Sequence, residues 1–328
     1  MQFPLVQSNK LLYNDLEPGN EPGERKGTQT MTTIQNQNFG TEIELTGITR
    51  QRAAGIIAEY FGTQSYYIGD GCYKVWGAKD RKNRVWKCER DGSIRTECRG
   101  NRFASDEYSC EVVTPILQYE DLDDLQNIVR KLREAGAIAN DSCGIHVHVD
   151  GANHTADSLI NLVNLFTGRQ DLFYEALQNQ GRADRWCQKA SKEMLKAMRK
   201  GDHTKAALER VYYSGLNNGY RGGIDHSHYC NARYRGLNLH ALYTKGTVEF
   251  RLFNGTTHAG KIKAYIQFCL AMSSWAINAE KVPFFRDTTD FTKEQKAKIM
   301  KNFMTKRLKM TGKEFATARQ HLTAAFAA

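Results

Sequence analysis

The stretch CGIHVHVDG, residues 143–151, places two histidines one residue apart within a run of small and apolar residues. His146 and His148 alternate there with three apolar residues, Ile145, Val147 and Val149. This period of two is typical of a strand with one buried face. Because successive side chains of a strand point to opposite faces, both imidazoles are expected on the same face.

Polar pairs at the same spacing occur in three other segments with strand character. They are Glu42/Glu44 in FGTEIEL, Arg233/Arg235 in ARYRGLN and Glu249/Arg251 in TVEFRLF, and Glu111 begins the apolar segment EVVTPIL. One such pair is typical of the solvated face of an antiparallel sheet, and a lone histidine is often satisfied by backbone or water. The set is different, because neighbouring glutamates repel unless a positive group lies between them.

The residue types in these pairs favour a particular chemistry. Carboxylates with at most one imidazole suit Mg²⁺ or Mn²⁺ better than zinc. Arginines beside such a cluster are suited to an anionic, phosphate-bearing ligand. The pairs therefore predict a metal and phosphate site on one face of a sheet.

The remaining pattern predicts an α+β fold built on a mainly antiparallel sheet. Helices are predicted at TRQRAAGIIAEYFG, closed by Gly62, and at YEDLDDLQNIVRKLREAG, closed by Gly136. Residues 66–114 read as a β-meander with a polar turn at GAKDRKN, and residues 155–215 as mostly helical. ARYRGLNLHAL and GTVEFRLFNGT have strand character.

Composition is that of a globular protein, with 41% hydrophobic and 25% charged residues. No apolar run approaches the roughly 20 residues of a membrane helix, and the first residues lack a signal-peptide core. A cytoplasmic location without a membrane partner is therefore expected. The eight cysteines occur singly, which favours reduced thiols over disulfides or a zinc knuckle.

The net charge of +10 is concentrated in residues 182–235 and 281–328, each with a balance of +7. Such segments suit nucleic acid or an acidic substrate, or form a solvated helical surface. In the second segment four apolar residues follow helical spacing, which favours packing on the domain over nucleic-acid binding: Ile299, Phe303, Met304 and Leu308. The oligomeric state is left open.

Taken in order, six motifs resemble the amidoligase family, which belongs with glutamine synthetase and glutamate–cysteine ligase among the carboxylate–amine ligases. They are FGTEIEL, DGSI, EVVTPIL, CGIHVHVDG, RYRGLNL and TVEFRLFNGT. The resemblance spans about residues 38–275. It implies an N-terminal tail or lid at 1–37, a glutamine-synthetase-like domain at 38–280 with a basic helical insert at about 155–225, and a basic helical extension at 281–328. The implied sheet is curved, with helices on its convex face and ATP and divalent metals on its concave face.

The resemblance also implies roles for single residues. Glu42 would ligate one metal ion with His146 and Glu249, while Glu44 and Glu111 would hold a second. Arg251 would contact the transferred phosphate, and Arg233 or Arg235 would bind phosphate or the substrate carboxylate. His148 would support a ligand or contact ATP or substrate, and Asp91 would border the substrate side. The implied reaction joins a carboxylate to an amine, such as an amino acid, a peptide or a cell-wall fragment, at the expense of ATP.

Two alternatives remain open. HVH also matches single-strand nucleases and relaxases of the His-hydrophobe-His type, in which Tyr212 or Tyr213 would be the nucleophile. That interpretation gives no task to the glutamates or to Arg251. The second alternative is a catalytically inactive, basic binding module on the same fold, although the full set of candidate ligands is present.

Overall fold

A computed structural model describes residues 31–69, 71–98, 100, 103–214, 223–280 and 291–326. Within them lie eight strands: β1 Phe39–Leu45, β2 Ser65–Gly69, β3 Val75–Lys79, β4 Val85–Glu89, β5 Cys110–Val113, β6 Gly144–Asp150, β7 Leu237–Asn238 and β8 Thr247–Asn254. The described residues also form eleven α-helices: α1 Arg50–Phe61, α2 Leu122–Glu134, α3 Ala156–Thr167, α4 Gln170–Leu177, α5 Gln180–Ala183, α6 Lys192–Lys200, α7 Lys205–Ser214, α8 His240–Lys245, α9 Ala259–Asn278, α10 Lys293–Asn302 and α11 Ala316–Thr323.

The strands form one sheet in the order β2-β3-β4-β5-β1-β6-β8-β7. Every neighbouring pair in this order is antiparallel. The predicted α+β class is therefore confirmed. β1 lies between β5 and β6, which are well separated from it and from each other along the chain, so the centre of the sheet is assembled from distant segments.

Helix ends follow the local sequence. Thr49 caps α1 by accepting a hydrogen bond from the Arg52 N–H, and Gly62 ends it in the left-handed conformation with φ of 71°. Gly136, with φ of 106°, follows α2 in the same way. The five predicted apolar residues of α2 are all buried: Leu122, Leu125, Ile128, Val129 and Leu132.

The two faces of the sheet differ in chemistry. On one face lie Ile43, Val112, Ile145 and Val147, which join the hydrophobic core. Helix α1 packs against β2–β5, and α9 packs against β6, with α2 touching both helices. The opposite face, called the polar face below, carries the alternating acidic and basic residues of the same strands. The period-2 pattern thus separates core from candidate site.

The predicted β-meander differs in detail from the structure. Its first part forms β2 and β3, with a short 3₁₀ turn at Gly71–Tyr73 between them. The predicted turn at GAKDRKN begins late, because β3 continues to Lys79 and the Asp80 carboxylate then accepts the N–H groups of Lys82 and Arg84.

The segment ARYRGLNLHAL is not a long strand. Arg233 ends a 3₁₀ turn, only Leu237–Asn238 forms β7, and α8 begins at His240. Arg235 instead forms an isolated bridge with Gln188, whose own N–H donates to the Tyr234 carbonyl and whose carbonyl accepts the Gly236 N–H. The prediction that Arg233 and Arg235 share a strand face is therefore wrong, since the backbone pairs outside the sheet.

The basic C-terminal segment is helical from Lys293, as predicted, and packs on the core. Of the four apolar residues that the sequence singles out, Phe303, Met304 and Leu308 are buried and Ile299 is partly buried against the core, and Met300 is buried as well. Lys296 also contacts Glu175 at 2.7 Å. Residues 1–30 of the predicted tail and residues 281–290 lie outside the described residues. In the part of the tail that is described, the buried Gln37 donates to the Leu270 carbonyl.

No helix among the described residues combines the length and the apolar character needed to cross a bilayer. All eight cysteines are free thiols, in line with the sequence prediction.

Candidate functional site

Strand register brings the predicted acidic residues and histidines together at the centre of the polar face. Glu42 of β1 lies opposite His146 of β6, and Glu44 lies opposite Glu111 of β5. On the other side of β6, His148 lies opposite Glu249. Directly opposed residues share a face with their Cβ atoms about 5 Å apart. Residues as distant along the chain as Glu42 and Glu249 thus meet in one cluster.

Glu42, His146 and Glu249 form the first ligand group. One ligand atom from each lies within 4.8 Å of the others. His146 Nδ1 is 3.0 Å from Glu42 Oε2 and 3.7 Å from Glu249 Oε1. These are the three residues that the family resemblance assigns to one metal ion.

Glu44 and Glu111 form a second ligand group with His146, and their ligand atoms meet the same limit of 4.8 Å. Glu44 Oε1 is 3.6 Å from His146 Nε2, while Glu44 Oε2 accepts the Gly144 N–H at 2.6 Å. All three side chains are buried. The backbone bond orients Glu44 and leaves its second oxygen directed at the cluster.

The protonation of the acidic residues follows from their neighbours. Burial raises the pKa of Glu111 well above its ordinary value, and repulsion from Glu42 and Glu44 adds to this. Burial opposes the ionisation of Glu249 too, but the Arg251 charge and then His148 lower its pKa to about 2. At Glu42 the effect of burial is outweighed by His148, His146 and Lys245, which hold its pKa well below the usual range. Of these three carboxyl groups, Glu111 is thus the one whose ionised form would be stabilised most by a bound cation.

The cluster fits a hard divalent cation by its donor set. Four carboxylates and one imidazole favour Mg²⁺ or Mn²⁺. The buried His146 Nε2 forms no hydrogen bond within the described part of the chain. Such orphaned buried atoms are rare unless an ion or water completes the site. A neutral imidazole offers a single lone pair, so His146 can complete only one of the two groups at a time.

Arg251 lies on β8 beside both groups. Its Nη1 donates to Glu249 Oε1 at 2.6 Å and lies 3.5 Å from His146 Nδ1. The guanidinium is buried, and its Nε has no hydrogen-bond partner in the described residues. A β-bulge between Ile145 and Val147 makes two β8 residues oppose one β6 residue. Such bulges re-aim side chains beside functional sites.

His148 is held at the edge of the first group. Its Nδ1 lies 2.8 Å from Thr247 Oγ1, and its Nε2 lies 3.2 Å from Glu42 Oε1. The side chain therefore adjoins a candidate ligand without belonging to either group of three.

The other predicted residues lie outside the two ligand groups. Arg235 is buried, and its guanidinium lies 5.4 Å from the centroid of the Tyr212 ring. The next residue, Gly236, accepts the Arg251 N–H at its carbonyl. Arg233 donates to the His228 carbonyl at 2.8 Å. Asp91 Oδ1 accepts the Ser93 N–H at 2.6 Å, and the Asp91 charge contributes to the raised pKa of Glu111.

Three residues at the cluster were missed by the sequence patterns. Lys245 Nζ, at the end of α8, lies 3.1 Å from Glu42 Oε1. Asn238 of β7 donates to Glu249 Oε2 at 2.7 Å. Arg182, in the helical insert, is buried and donates to the Cys143 carbonyl at 2.7 Å, and a Cβ at Gly144 would collide with its guanidinium. Asn238 lies within the quoted motif RYRGLNL, whereas no pattern singled out Lys245 or Arg182.

Comparison with protein families gives a match over most of this chain. The model of a family described as "Putative amidoligase enzyme" matches residues 35–273. No curated protein matches the chain. The matched range contains every residue of the two ligand groups and Arg251.

Proposed function

Because this chain belongs to the amidoligase family, we propose that it is an ATP-dependent carboxylate–amine ligase. The observation that carries the proposal is the convergence of two three-residue ligand groups and a buried arginine on one sheet face. A glutamine-synthetase-like arrangement, in which such a face is curved around the nucleotide, is part of the proposal.

The residues would divide the work by position. Glu42, Glu249 and His146 would hold one Mg²⁺ or Mn²⁺ ion, and Glu44 and Glu111 the other. Ions held by these residues would supply positive charge that offsets the negative charge of the ATP phosphates. The Gly144 N–H keeps Glu44 in place.

Arg251 is the proposed phosphate-binding residue. Its contact with Glu249 is a charge-assisted hydrogen bond that fixes one end of the guanidinium. The unpartnered Nε leaves donor capacity for an anion. A fixed guanidinium stabilises a loose phosphoryl-transfer transition state without reorganising during the reaction. Arg235 and His148 are proposed to assist in binding ATP or the substrate carboxylate.

The proposed reaction has two steps. A substrate carboxylate oxygen attacks the γ-phosphorus, the bond to the β-phosphate oxygen breaks, and ADP leaves. An amine then attacks the acyl phosphate carbon, loses a proton and displaces inorganic phosphate, which leaves an amide. Asp91, at the edge of the cluster, is proposed to border the substrate side.

The tyrosine-nucleophile alternative is disfavoured by burial. Tyr212 is fully buried and its hydroxyl donates to the Ala232 carbonyl at 2.7 Å, while burial raises its pKa to about 12. The Tyr213 hydroxyl lies 2.7 Å from His240 Nδ1 and is also buried. Both hydroxyls are therefore buried and already hydrogen-bonded, which disfavours either one as a nucleophile.

The test is release of ADP and phosphate with Mg²⁺ against a panel of carboxylates and amines, including amino acids and peptides. The wild-type protein should release both products only when carboxylate and amine partners are present. Glu134→Gln, at an exposed position on α2, serves as the control for Glu→Gln changes in the cluster. Absence of ADP formation across the panel, with Mg²⁺ and with Mn²⁺, would count against the proposal.

A further inference from the structure

The polar face extends well beyond the ligand cluster. A single row of opposed residues runs across the sheet from Glu42 through Val113, Lys87 and Gly77 to Tyr66. Because neighbouring strands lie about 4.8 Å apart, the Cα of Lys87 is about 10 Å from that of Glu42, and the Cα of Tyr66 about 19 Å. The row connects the candidate site to the outer edge of the sheet.

Two lysines on this part of the face have no acidic partner. Lys87 of β4 and Lys79 of β3 are both exposed, and neither forms an ion pair within the described residues. Nearby lysines are paired, as Lys74 is with Asp106 and Lys82 with Glu120. By strand geometry the Cα atoms of Lys79 and Lys87 are about 8 Å apart. Two lysine side chains without an acidic partner therefore face solvent on neighbouring strands of the polar face.

An apolar surface lies between and beside these cations. Gly77 has no side chain, and Tyr66 and Ile68 fold over it, since a Cβ there would lie 2.7 Å from Ile68 Cδ1. Tyr66 is 38% exposed and Ile68 39% exposed, although both are large apolar residues. An apolar patch flanked by unpaired charges is typical of a binding surface.

We propose that this lysine strip, defined as Tyr66, Ile68, Lys79 and Lys87, binds an acidic peptide segment of the carboxylate substrate. The inference rests on the proposed ligase function, which requires a carboxylate to reach the Glu42 cluster from one side.

Spacing supports an extended peptide as the occupant. Side chains two residues apart in an extended chain are separated by about 7 Å, close to the spacing of the two lysines. Acidic residues at alternate positions would face both ammonium groups, and the apolar patch would contact the peptide between them. The row ends at Glu42, and Glu111 and Glu89 lie opposite each other beside it. These carboxylates repel a uniformly charged polyanion, whereas a peptide can place a single reacting carboxylate there.

The test is equilibrium binding of a fluorescein-labelled peptide with glutamate at alternate positions, followed by anisotropy in EDTA without ATP. The full-length wild-type chain should bind this peptide in preference to the same peptide with glutamine. Lys79→Gln/Lys87→Gln should weaken binding about tenfold, and added salt should weaken wild-type binding. Lys131→Gln/Lys196→Gln removes two exposed lysines elsewhere and should change binding less than twofold.

The outcomes separate this inference from the ligase proposal. Equal binding of the glutamate and glutamine peptides, or equal effects of the two double variants, would overturn the proposal that the lysine strip binds an acidic peptide. Tighter binding of a labelled single-stranded oligonucleotide, lost in Lys79→Gln/Lys87→Gln, would overturn the peptide in favour of nucleic acid. Peptide binding through the strip without ATP consumption would support the strip and refute the ligase. ATP turnover on the panel without peptide binding would support the ligase and refute the lysine strip. Both double variants change only exposed side chains, and circular dichroism checks that they fold.

Discussion

Replacing Glu111 by glutamine should stabilise the protein when metal is absent. The Glu111 and Glu44 ligand atoms lie within 4.8 Å of each other, so at an effective dielectric constant near 20 two charges there repel by about 3.5 kcal/mol. The Glu111 carboxyl forms no hydrogen bond within the described residues that would offset this cost. Glutamine keeps the shape and removes the charge, so the free energy of unfolding should rise.

The gain depends on pH in a defined direction. The folded-state pKa of Glu111 is raised above its unfolded value. Above the ordinary carboxyl range, the folded state therefore keeps a proton that the unfolded state has lost. The free energy of unfolding of the wild-type protein therefore falls as pH rises towards the folded-state pKa of Glu111. The glutamine variant has no carboxyl group at this position, so its stability does not fall for this reason. The two proteins should differ little near pH 4 to 5, and the variant should be more stable by at most about 3 kcal/mol at higher pH.

Metal should reverse the order. An ion that binds only the folded state stabilises it by about 4.1 kcal/mol at one thousand times its Kd, which exceeds the expected advantage of the glutamine variant. The wild-type protein should gain this in Mn²⁺, and Glu111→Gln should gain much less because one carboxylate is missing from its group. Urea unfolding at pH 5 and pH 8, each in EDTA and in Mn²⁺, measures the free energy of unfolding of both proteins under all four conditions. Glu134→Gln serves as the control. A glutamine variant less stable than wild type in EDTA at pH 8, or equally stabilised by Mn²⁺, would refute the reasoning.

Three further predictions concern turnover and packing. Glu44→Gln should abolish ADP formation with an unchanged circular dichroism spectrum, because it removes a ligand but keeps an acceptor for the Gly144 N–H; undiminished ADP production would contradict the metal assignment. Arg251→Lys keeps the charge but loses the guanidinium fork, so ADP formation should fall about 100-fold, and an unchanged rate would exclude phosphate contact. Deleting residues 291–328 should lower the melting temperature because Met300 and Met304 are buried; unchanged melting with lost oligonucleotide binding would instead favour a nucleic-acid role.

The period-2 patterns predicted which strands carry the site and which side chains share a face. Ile145 and Val147 are buried in the core while His146 points to the cluster, as alternation requires. The same rule failed at Arg233 and Arg235. Alternation has meaning only where the backbone is extended, and a 3₁₀ turn and a bridge to Gln188 replace the strand there.

The order of the strands was decided by tertiary structure alone. Glu42 meets His146 and Glu44 meets Glu111 only because β1 pairs with both β5 and β6. Sequence patterns specify the face of a side chain within its own strand, but strand order depends on packing of the whole core. The family resemblance implied that these residues belong together but did not supply that physical reason.

The sequence by itself determined the α+β class, the amphipathic helices and the polar face of each central strand, because these depend on local periodicity. Tertiary structure decided the positions of Lys245, Asn238 and Arg182, which lie on a helix end, a two-residue strand and an insert. It also placed Arg251 of β8 within 3.5 Å of His146 Nδ1 of β6, where the β-bulge lies between these two strands. Each of these contacts joins segments whose proximity no local pattern encodes, since it arises only when distant strands assemble into one sheet over a common core.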